Sequence, residues 1–171
     1  MKTITVKFLA IIGMMFLVYA CQEKTTYENV DEIVAEAIVN TKSISSEQLY
    51  TKIDNGDMIL LIDAREPNEF NAGYIPGSVN IPRGVLEFNI SKEAFWEEAM
   101  LYMPLKDEEI IVYCKKGKRS ILAADALQKL GYTNVYYLED GWKNWEMNYP
   151  LVYEKNLDHS AHESSGESGG C

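Results

Sequence analysis

Short apolar runs alternate along this chain with segments of helical spacing, and this alternation restricts its fold more than any other feature. The runs that predict strands are 58–62, 78–81, 110–113 and 135–138. They are continuously apolar, which is typical of parallel strands buried on both faces. Helices are predicted over 45–53 and 91–101, and over a third segment that begins near Ser120 and is closed by Gly131. The sequence therefore predicts an α/β sandwich, with a parallel sheet covered on both faces.

A cysteine directly follows the run Ile110–Tyr113 and begins the loop Cys114–Arg119. In an open α/β sheet, the residue after a strand lies at the carboxyl edge, where such folds place their sites. A tight loop that turns into a helix points several backbone N–H groups inward, and the helix N-terminus adds a partial positive charge. Gly117 supplies the freedom for a positive φ angle. These conditions favour the thiolate, which is the reactive form of cysteine.

A cysteine at a strand end is more often a buried core residue than a nucleophile. Here, however, four of the next five residues are cations: Lys115, Lys116, Lys118 and Arg119. A cationic run is usually a solvated surface, but this one lies beside a thiol in a chain of formal net charge −10. We expect the inward N–H groups to stabilise the thiolate. We expect the lysines to attract an anionic substrate, although only within a Debye length of about 8 Å.

Three motifs occur in order over the length of one domain. They are D-A-R-E-P-N-E-F-N-A-G-Y-I-P-G-S-V-N-I-P at 63–82, C-K-K-G-K-R-S at 114–120 and L-E-D-G-W-K-N-W at 138–145. The first resembles the signature D-x-R-x-x-x-E-[FY]-x-x-G-H-I-P-G-A-x-N-I-P of rhodanese sulfurtransferases. The second resembles the family's active-site loop, C-x-x-G-x-R-S, and the third is similar to its L-x-G-G-x-x-x-W.

This resemblance implies a rhodanese-like three-layer sandwich, with a mainly parallel sheet of about five strands and helices on both faces. It also implies an enzyme similar to thiosulfate sulfurtransferase. In such an enzyme the Cys114 thiolate takes sulfane sulfur from an anionic donor, such as thiosulfate or polysulfide, and passes it as a persulfide to a thiol or cyanide-type acceptor. The resemblance implies substrate-binding roles for Lys115, Lys116, Gly117, Lys118, Arg119 and Ser120. No cofactor and no metal are expected. The alternative is a rhodanese-like sulfur carrier or protein-interaction module without thiosulfate turnover.

Cysteine phosphatases are the nearest rival, because their loop also precedes a helix and ends in arginine. They resemble C-x5-R, whereas Cys114 to Arg119 forms C-x4-R. A shorter loop fits a single sulfur atom better than a tetrahedral phosphate. The residue before the cysteine is Tyr113 rather than the histidine common in phosphatases. Both differences favour sulfur transfer.

The other motif residues are expected to be structural. Three of them are expected to tie loops together through hydrogen bonds and charge pairs: Asp63, Arg65 and Glu69. Trp142 and Trp145 are expected to be core anchors. Tyr74 and Asp140 stand where the family often has histidine and glycine, and we expect these two departures to leave the chemistry of the loop unchanged.

Residues 1–20 are predicted to be a signal peptide. Lys2 and Lys7 precede the apolar run Phe8–Ala20, which is too short to span a membrane. The run ends L-V-Y-A-C at Cys21, which resembles the bacterial lipoprotein signal, where cleavage precedes a cysteine that is then acylated. The resemblance implies lipid attachment at Cys21, and more than one acyl chain would give stable anchoring.

The expected location is therefore the bacterial cell envelope, lipid-anchored and facing the periplasm, with membrane contact only through this anchor. Gln22 suits the outer membrane by analogy. The alternative is ordinary secretion to the periplasm, with cleavage near Ala20. Removal of Lys2 and Lys7 would take two positive charges from the net −10 and leave −12. This acidity argues against a nucleic-acid partner, which needs a basic surface.

The boundaries of the remaining segments of the chain are predicted from their composition. Residues 21–42 are expected to be a tether with an amphipathic helix over 29–40, whose apolar face is Val30, Ile33, Val34, Ala37 and Ile38. This helix is expected to pack on the domain; the alternative is a helix that binds a partner or lies on a membrane, which its acidic face disfavours. Residues 43–153 are expected to form the rhodanese-like domain.

Residues 154–171 are expected to be a disordered tail, because they are rich in Ser, Gly and Glu. Within it, Cys171 is interpreted as incidental, with a resolving thiol as the alternative. His159 and His162 have ligand-like spacing, but two histidines in such a tail are weak evidence for a metal site.

Overall fold

The computed structural model describes residues 26–156 of the 171-residue chain. The chain divides into one unit that ends at Glu32 and a second, larger unit that begins at Ile33. In the first unit, the Asn29 side chain accepts hydrogen bonds from the N–H groups of Asp31 and Glu32 at 3.0 and 3.2 Å, as a helix-capping residue does. The predictions for the signal peptide, for Cys21, and for the tail beyond residue 156 lie outside the described residues.

The second unit contains a sheet of five parallel strands in the order β1-β5-β4-β2-β3. The strands are β1 (Lys42–Ile44), β2 (Leu60–Asp63), β3 (Ser78–Asn80), β4 (Ile110–Tyr113) and β5 (Val135–Leu138). The predicted parallel sheet is therefore confirmed for the described part of the chain. The run predicted as the central strand, β4, lies in the middle of the sheet, and all four of its residues are buried.

Helices connect these strands. They are α1 (Val30–Asn40), α2 (Ser46–Asn55), α3 (Pro67–Asn71), α4 (Leu86–Asn89), α5 (Glu93–Glu98), α6 (Lys118–Lys129) and α7 (Gly141–Asn148), with a 3₁₀ turn at Arg83–Val85. Ser45 and Gln48 form a capping box at the start of α2. Within residues 26–156, none of the helices combines the length and the apolar character needed to cross a membrane.

Side chains of β4 alternate between two buried clusters, one on each face of the sheet. Ile110 and Val112 pack in a cluster that contains Leu127 of α6. Ile111 and Tyr113 pack in a cluster on the opposite face that contains α7. Two tryptophans of α7, Trp142 and Trp145, are buried in this second cluster, as predicted. The continuously apolar strands are thus explained by helices on both sides, and the three-layer sandwich is confirmed.

The part of helix α1 that belongs to the second unit, from Ile33 onward, packs through only some of its apolar residues. Val34 and Ala37 are buried in a small cluster with Ile121 of α6. Ile33 and Ile38 are 39% and 43% exposed. The predicted helix is therefore present, but its apolar face is only half covered by residues of this unit.

Two strands differ from the sequence prediction. Strand β1 was not predicted, because Ile44 is its only buried residue and Lys42 and Ser43 are exposed, so it carries no apolar run. Strand β2 begins at Leu60 rather than at residue 58, and Met58 is 91% exposed. Edge strands and strand ends bury less surface, so their apolar pattern is weak.

Two helices also differ from the prediction. Helix α5 is shorter than the predicted 91–101, and Met100, within the predicted range, is 91% exposed. The residue that α5 buries is Trp96, whose indole donates a hydrogen bond to the Ile90 carbonyl at 3.0 Å. Helix α6 begins at Lys118, two residues before the expected start, because the positive φ of Gly117 completes the turn of the loop there.

Candidate active site

The strand order gives Cys114 its position. Because the strands are parallel, the segments that follow β2, β4 and β5 meet at the carboxyl edge of the sheet. Cys114 is the first residue after β4, between the other two segments. It is a free cysteine and only 2% exposed. The thiol is thus almost completely enclosed by protein.

Loop residues 114–120 form a cup around the sulfur. The Gly117 N–H donates a hydrogen bond to Cys114 Sγ at 3.2 Å. Ser120 Oγ lies 3.7 Å from the sulfur and donates to the Gly117 carbonyl at 2.8 Å. The hydroxyl has one proton and its closer acceptor is the carbonyl, so the Gly117 N–H is the stronger of the two donors to the sulfur. Gly117 has φ +98°, a conformation in which side chains are rare.

The first residues of α7 form hydrogen bonds to the backbone of the Cys114 loop. The N–H groups of Trp142 and Lys143 donate to the carbonyls of Cys114 and Lys115 at 2.8 and 3.1 Å. A Cβ on Gly141 would lie only 2.1 Å from the Cys114 carbonyl oxygen, so only glycine fits there. Sequence reasoning missed this contact. The available signal was the glycine of the third motif, directly before a helix.

A buried ion pair lies in the segment after β2. Asp63 and Arg65 are 0% and 2% exposed, and Arg65 Nη2 donates to Asp63 Oδ2 at 2.6 Å. Arg65 also donates to the Gly73 carbonyl at 2.7 Å, and its guanidinium lies 4.7 Å from the ring centre of Trp142. Burial opposes the charge of Arg65, but the hydrogen bond that Arg65 donates to Asp63 gives a net upward shift of its pKa. The predicted loop-tying role of this pair is confirmed.

Tyr113, the residue before Cys114, is completely buried. Its hydroxyl accepts a hydrogen bond from the Ile75 N–H at 3.2 Å and shares another with Ser78 Oγ at 3.0 Å. Burial, followed by the charge of Asp63, raises the pKa of Tyr113 far above its ordinary value, so it remains neutral. Sequence reasoning used Tyr113 only to exclude phosphatases and missed that it ties β4 to the segment around β3.

Arg119 lies between Glu69 and the cysteine. Its guanidinium donates to both carboxylate oxygens of Glu69, at 2.8 and 3.0 Å. The hydrogen bond from Arg119 lowers the pKa of Glu69, although burial opposes the shift. The hydrogen bond to Glu69 raises the pKa of Arg119, with a further contribution from Cys114. The charge of Arg119 is therefore largely committed to Glu69, which is the loop-tying role predicted for that carboxylate.

The structure separates the predicted site residues into two groups. It brings together Cys114, Gly117, Arg119 and Ser120. It places Lys115, Lys116 and Lys118 with exposed side chains on the outside of the loop.

Within residues 26–156, no group of three or more His, Cys, Asp or Glu side chains is arranged as a metal site. Cys21, His159 and His162 lie outside the described residues.

Comparison with known proteins agrees with this geometry. The family model for the rhodanese-like domain matches residues 45–148. The thiosulfate sulfurtransferase GlpE of Pseudoalteromonas translucida is 32% identical over 115 residues, which cover 67% of this chain and 97% of that protein. The structure of the human single-domain sulfurtransferase TSTD1 is 29% identical, with a TM-score of 0.59, over 63% of this chain and 96% of that one.

A second similar structure comes from Rhodopseudomonas palustris and is described as a protein of unknown function, possible tyrosine phosphatase. It is 27% identical, with a TM-score of 0.61, over 74% of this chain and 96% of that one.

Proposed function

Because the chain belongs to the rhodanese-like domain family, we propose that it is a single-domain sulfurtransferase that works through a persulfide on Cys114. The donor is an anionic sulfane-sulfur compound, such as thiosulfate or polysulfide, and the acceptor is a thiol or a cyanide-type nucleophile. One observation carries the proposal: a buried cysteine sulfur accepts a hydrogen bond at 3.2 Å from the N–H of the loop that surrounds it. The similarity to a bacterial thiosulfate sulfurtransferase supports it.

In the first half of the reaction, the Cys114 thiolate attacks the outer sulfur of the donor. With thiosulfate, a new S–S bond forms to Cys114 while the S–S bond of thiosulfate breaks, and its electron pair leaves with sulfite. The thiolate charge passes to the outer sulfur of the Cys114 persulfide. No proton has to be removed during this step if the thiolate is already formed, so no general base is required.

In the second half, a thiolate or cyanide acceptor attacks the outer sulfur of the persulfide. The bond to Cys114 breaks, the sulfur leaves on the acceptor, and the Cys114 thiolate is restored. A negative charge is therefore present at the cup in every resting state of the cycle. The Gly117 N–H donates to that charge in a largely buried setting, where preoriented donors need no reorganisation.

The lysines have a different role in this proposal. Lys115, Lys116 and Lys118 are exposed, so their effect on the buried sulfur is weakened by solvent. They attract the anionic donor to the cup. Arg119 is bonded to Glu69 and shapes the loop, and its raised pKa keeps it positive beside the sulfur.

Phosphatase chemistry is less well supported. The loop from Cys114 to Arg119 has four intervening residues rather than five. Arg119, which would have to bind the phosphate, is bonded through two nitrogens to Glu69. Tyr113 holds its hydroxyl towards Ile75 and Ser78 instead of towards a substrate.

The test is to treat the purified chain with thiosulfate or polysulfide and to locate the product by peptide mass spectrometry. We expect one added sulfur on Cys114, none at that position in Cys114→Ser, and an unchanged adduct in Cys171→Ser. Transfer of this sulfur to cyanide would then give thiocyanate. If no donor loads Cys114, the alternative of a protein-interaction module without sulfur chemistry replaces this proposal. A loaded Cys114 that releases no sulfur to any acceptor would favour a sulfur carrier.

The proposed location is the bacterial cell envelope, with lipid on Cys21 and the domain facing the periplasm. It rests on the resemblance of residues 1–21 to a lipoprotein signal. Mass spectrometry of the N-terminal peptide from membrane fractions tests it. Acylated Cys21 is the expected result, and an unmodified N-terminus near Ala20 in the soluble periplasmic fraction would support simple secretion instead.

A further inference from the structure

Asp140 occupies an unusual position between β5 and α7. Its backbone has φ 55° and ψ 0°, a left-handed conformation that aspartate adopts at moderate cost and glycine at almost none. Within residues 26–156, only Asp140 and Met100 have positive φ without being glycine. The Asp140 side chain is exposed and makes no capping hydrogen bond to α7. Neither packing nor capping therefore explains an aspartate where glycine would be less strained.

Two short distances connect Asp140 to the sulfur. The Gly117 nitrogen lies 3.2 Å from Cys114 Sγ, and a Cβ on Gly117 would lie 3.9 Å from the Asp140 nitrogen. With ordinary bond lengths, the Asp140 nitrogen is then at most about 10 Å from the sulfur. The next residue, Gly141, is packed against the Cys114 carbonyl. Asp140 thus lies at the rim of the cup, where the expectation that it leaves the chemistry of the loop unchanged can be tested.

The carboxylate of Asp140 is opposite in sign to the lysines of the Cys114 loop. Lys115, Lys116 and Lys118 are exposed on the same loop, while the charge of Arg119 is paired with Glu69. A negative charge at this rim repels an incoming anion in proportion to that anion's charge. For two unit charges about 10 Å apart in a water-like dielectric, Coulomb's law gives an effect of about twofold for each unit of donor charge.

We propose that Asp140 is a specificity-determining residue, which disfavours doubly charged donors such as thiosulfate relative to singly charged organic persulfides. This inference rests on the proposed function of Cys114. It predicts that the carboxylate lowers kcat/KM about fourfold for a dianion and about twofold for a monoanion at low ionic strength. The preference therefore concerns the class of donor and not the identity of the acceptor.

The test uses two alkylating reagents that differ in charge, because alkylation of Cys114 needs no sulfur transfer. Rates with anionic iodoacetate and neutral iodoacetamide are measured by peptide mass spectrometry at low salt. Asp140→Asn removes the charge, and asparagine also tolerates the left-handed conformation. We expect the ratio of the iodoacetate rate to the iodoacetamide rate to rise about twofold, and added salt to abolish the difference. In parallel, kcat/KM should rise about fourfold for thiosulfate and about twofold for a singly charged organic persulfide.

Glu146→Gln is the matched control, because Glu146 is an exposed acid further along α7. It should leave the alkylation ratio unchanged. An unchanged ratio in Asp140→Asn, or an equal rise in Glu146→Gln, would overturn the inference while leaving the proposed function intact. A raised ratio in a chain that no donor loads at Cys114 would overturn the proposed function, and the donor preference with it.

Discussion

Two ion pairs, one at each edge of the sheet, differ in burial. At the carboxyl edge, the side chains of Asp63 and Arg65 are 0% and 3% exposed and lie 2.6 Å apart. At the amino edge, the side chains of Lys52 and Glu109 are paired at 3.0 Å but remain 29% and 22% exposed. Burying an ion pair costs desolvation that its attraction does not always repay, whereas a surface pair costs little. The ion pair that is costly to bury thus lies at the edge of the sheet that carries the cysteine.

Backbone strain shows the same contrast. At the amino edge, Met100 has φ 57° because it ends α5: its N–H donates to the Glu97 carbonyl and the next N–H donates to the Trp96 carbonyl, a common helix ending. At the carboxyl edge, Asp140 and Gly141 have φ 55° and 57° and lie next to the Cys114 loop in space. Left-handed residues serve a local turn at one edge and position a distant loop at the other.

The largest effect is expected from Gly141→Ala. The added methyl group would lie 2.1 Å from the Cys114 carbonyl oxygen, so the loop has to move. A displacement of about 1 Å near reacting atoms can reduce turnover about 100-fold. We expect a loss of that size in sulfur transfer, together with a lower melting temperature.

Gly84→Ala is the matched control for this substitution, since a Cβ there would meet nothing within 4 Å. It should leave both turnover and melting temperature almost unchanged. Full activity in Gly141→Ala would show that the contact between α7 and the loop does not position Cys114.

The buried and exposed ion pairs give the next largest difference. Asp63→Asn leaves the charge of Arg65 buried without its counterion, and we expect a loss of about 3–5 kcal/mol in the free energy of unfolding. Glu109→Gln breaks the exposed pair with Lys52 and should cost less than about 1 kcal/mol. Urea unfolding measures both. Equal losses in the two variants would contradict the distinction between the edges.

Much of the fold was predictable because the central strands are buried on both faces. The runs at 110–113 and 135–138 coincide with β4 and β5. The prediction failed where one face or one end of an element is exposed. Strand β1 has a single buried residue, Ile44, and α5 is too short to develop a helical stripe. Such elements are fixed by neighbours that are distant in the sequence.

The site was predictable in its chemistry but not in its supports. Cys114 and Gly117 lie within one short motif, so local reasoning could connect them. The contact of Gly141 with the Cys114 carbonyl joins β5 to β4 across the sheet edge, and nothing in local spacing specifies it. The charge of Arg119 suggested substrate binding. Its partner, Glu69, is 50 residues away in the sequence, so local spacing did not reveal the pair.

A smaller effect is expected from Glu69→Gln, which tests the pair at the rim of the carboxyl edge. The hydrogen bond from Arg119 lowers the pKa of Glu69 in the folded state. A lowered carboxyl pKa stabilises the fold above the ordinary carboxyl pKa, and this stability is lost as the pH falls through the lowered value. Glu69→Gln should therefore cost less than about 1 kcal/mol near pH 7. The difference from the unaltered chain should shrink towards about pH 3.

Glu87→Gln is the control for this pair. Glu87 accepts hydrogen bonds from Arg83 at 2.8 Å, and the shorter hydrogen bond from Arg119 to Glu69 has the same length. It should cost a similar amount of stability, but only Glu69→Gln should also alter sulfur transfer, since Arg119 lies next to Cys114. Unfolding free energies across this pH range and kcat/KM for thiosulfate separate the two roles. If both substitutions changed kcat/KM equally, Arg119 would have no special relation to the sulfur, and its pair with Glu69 would be equivalent to the pair of Arg83 and Glu87.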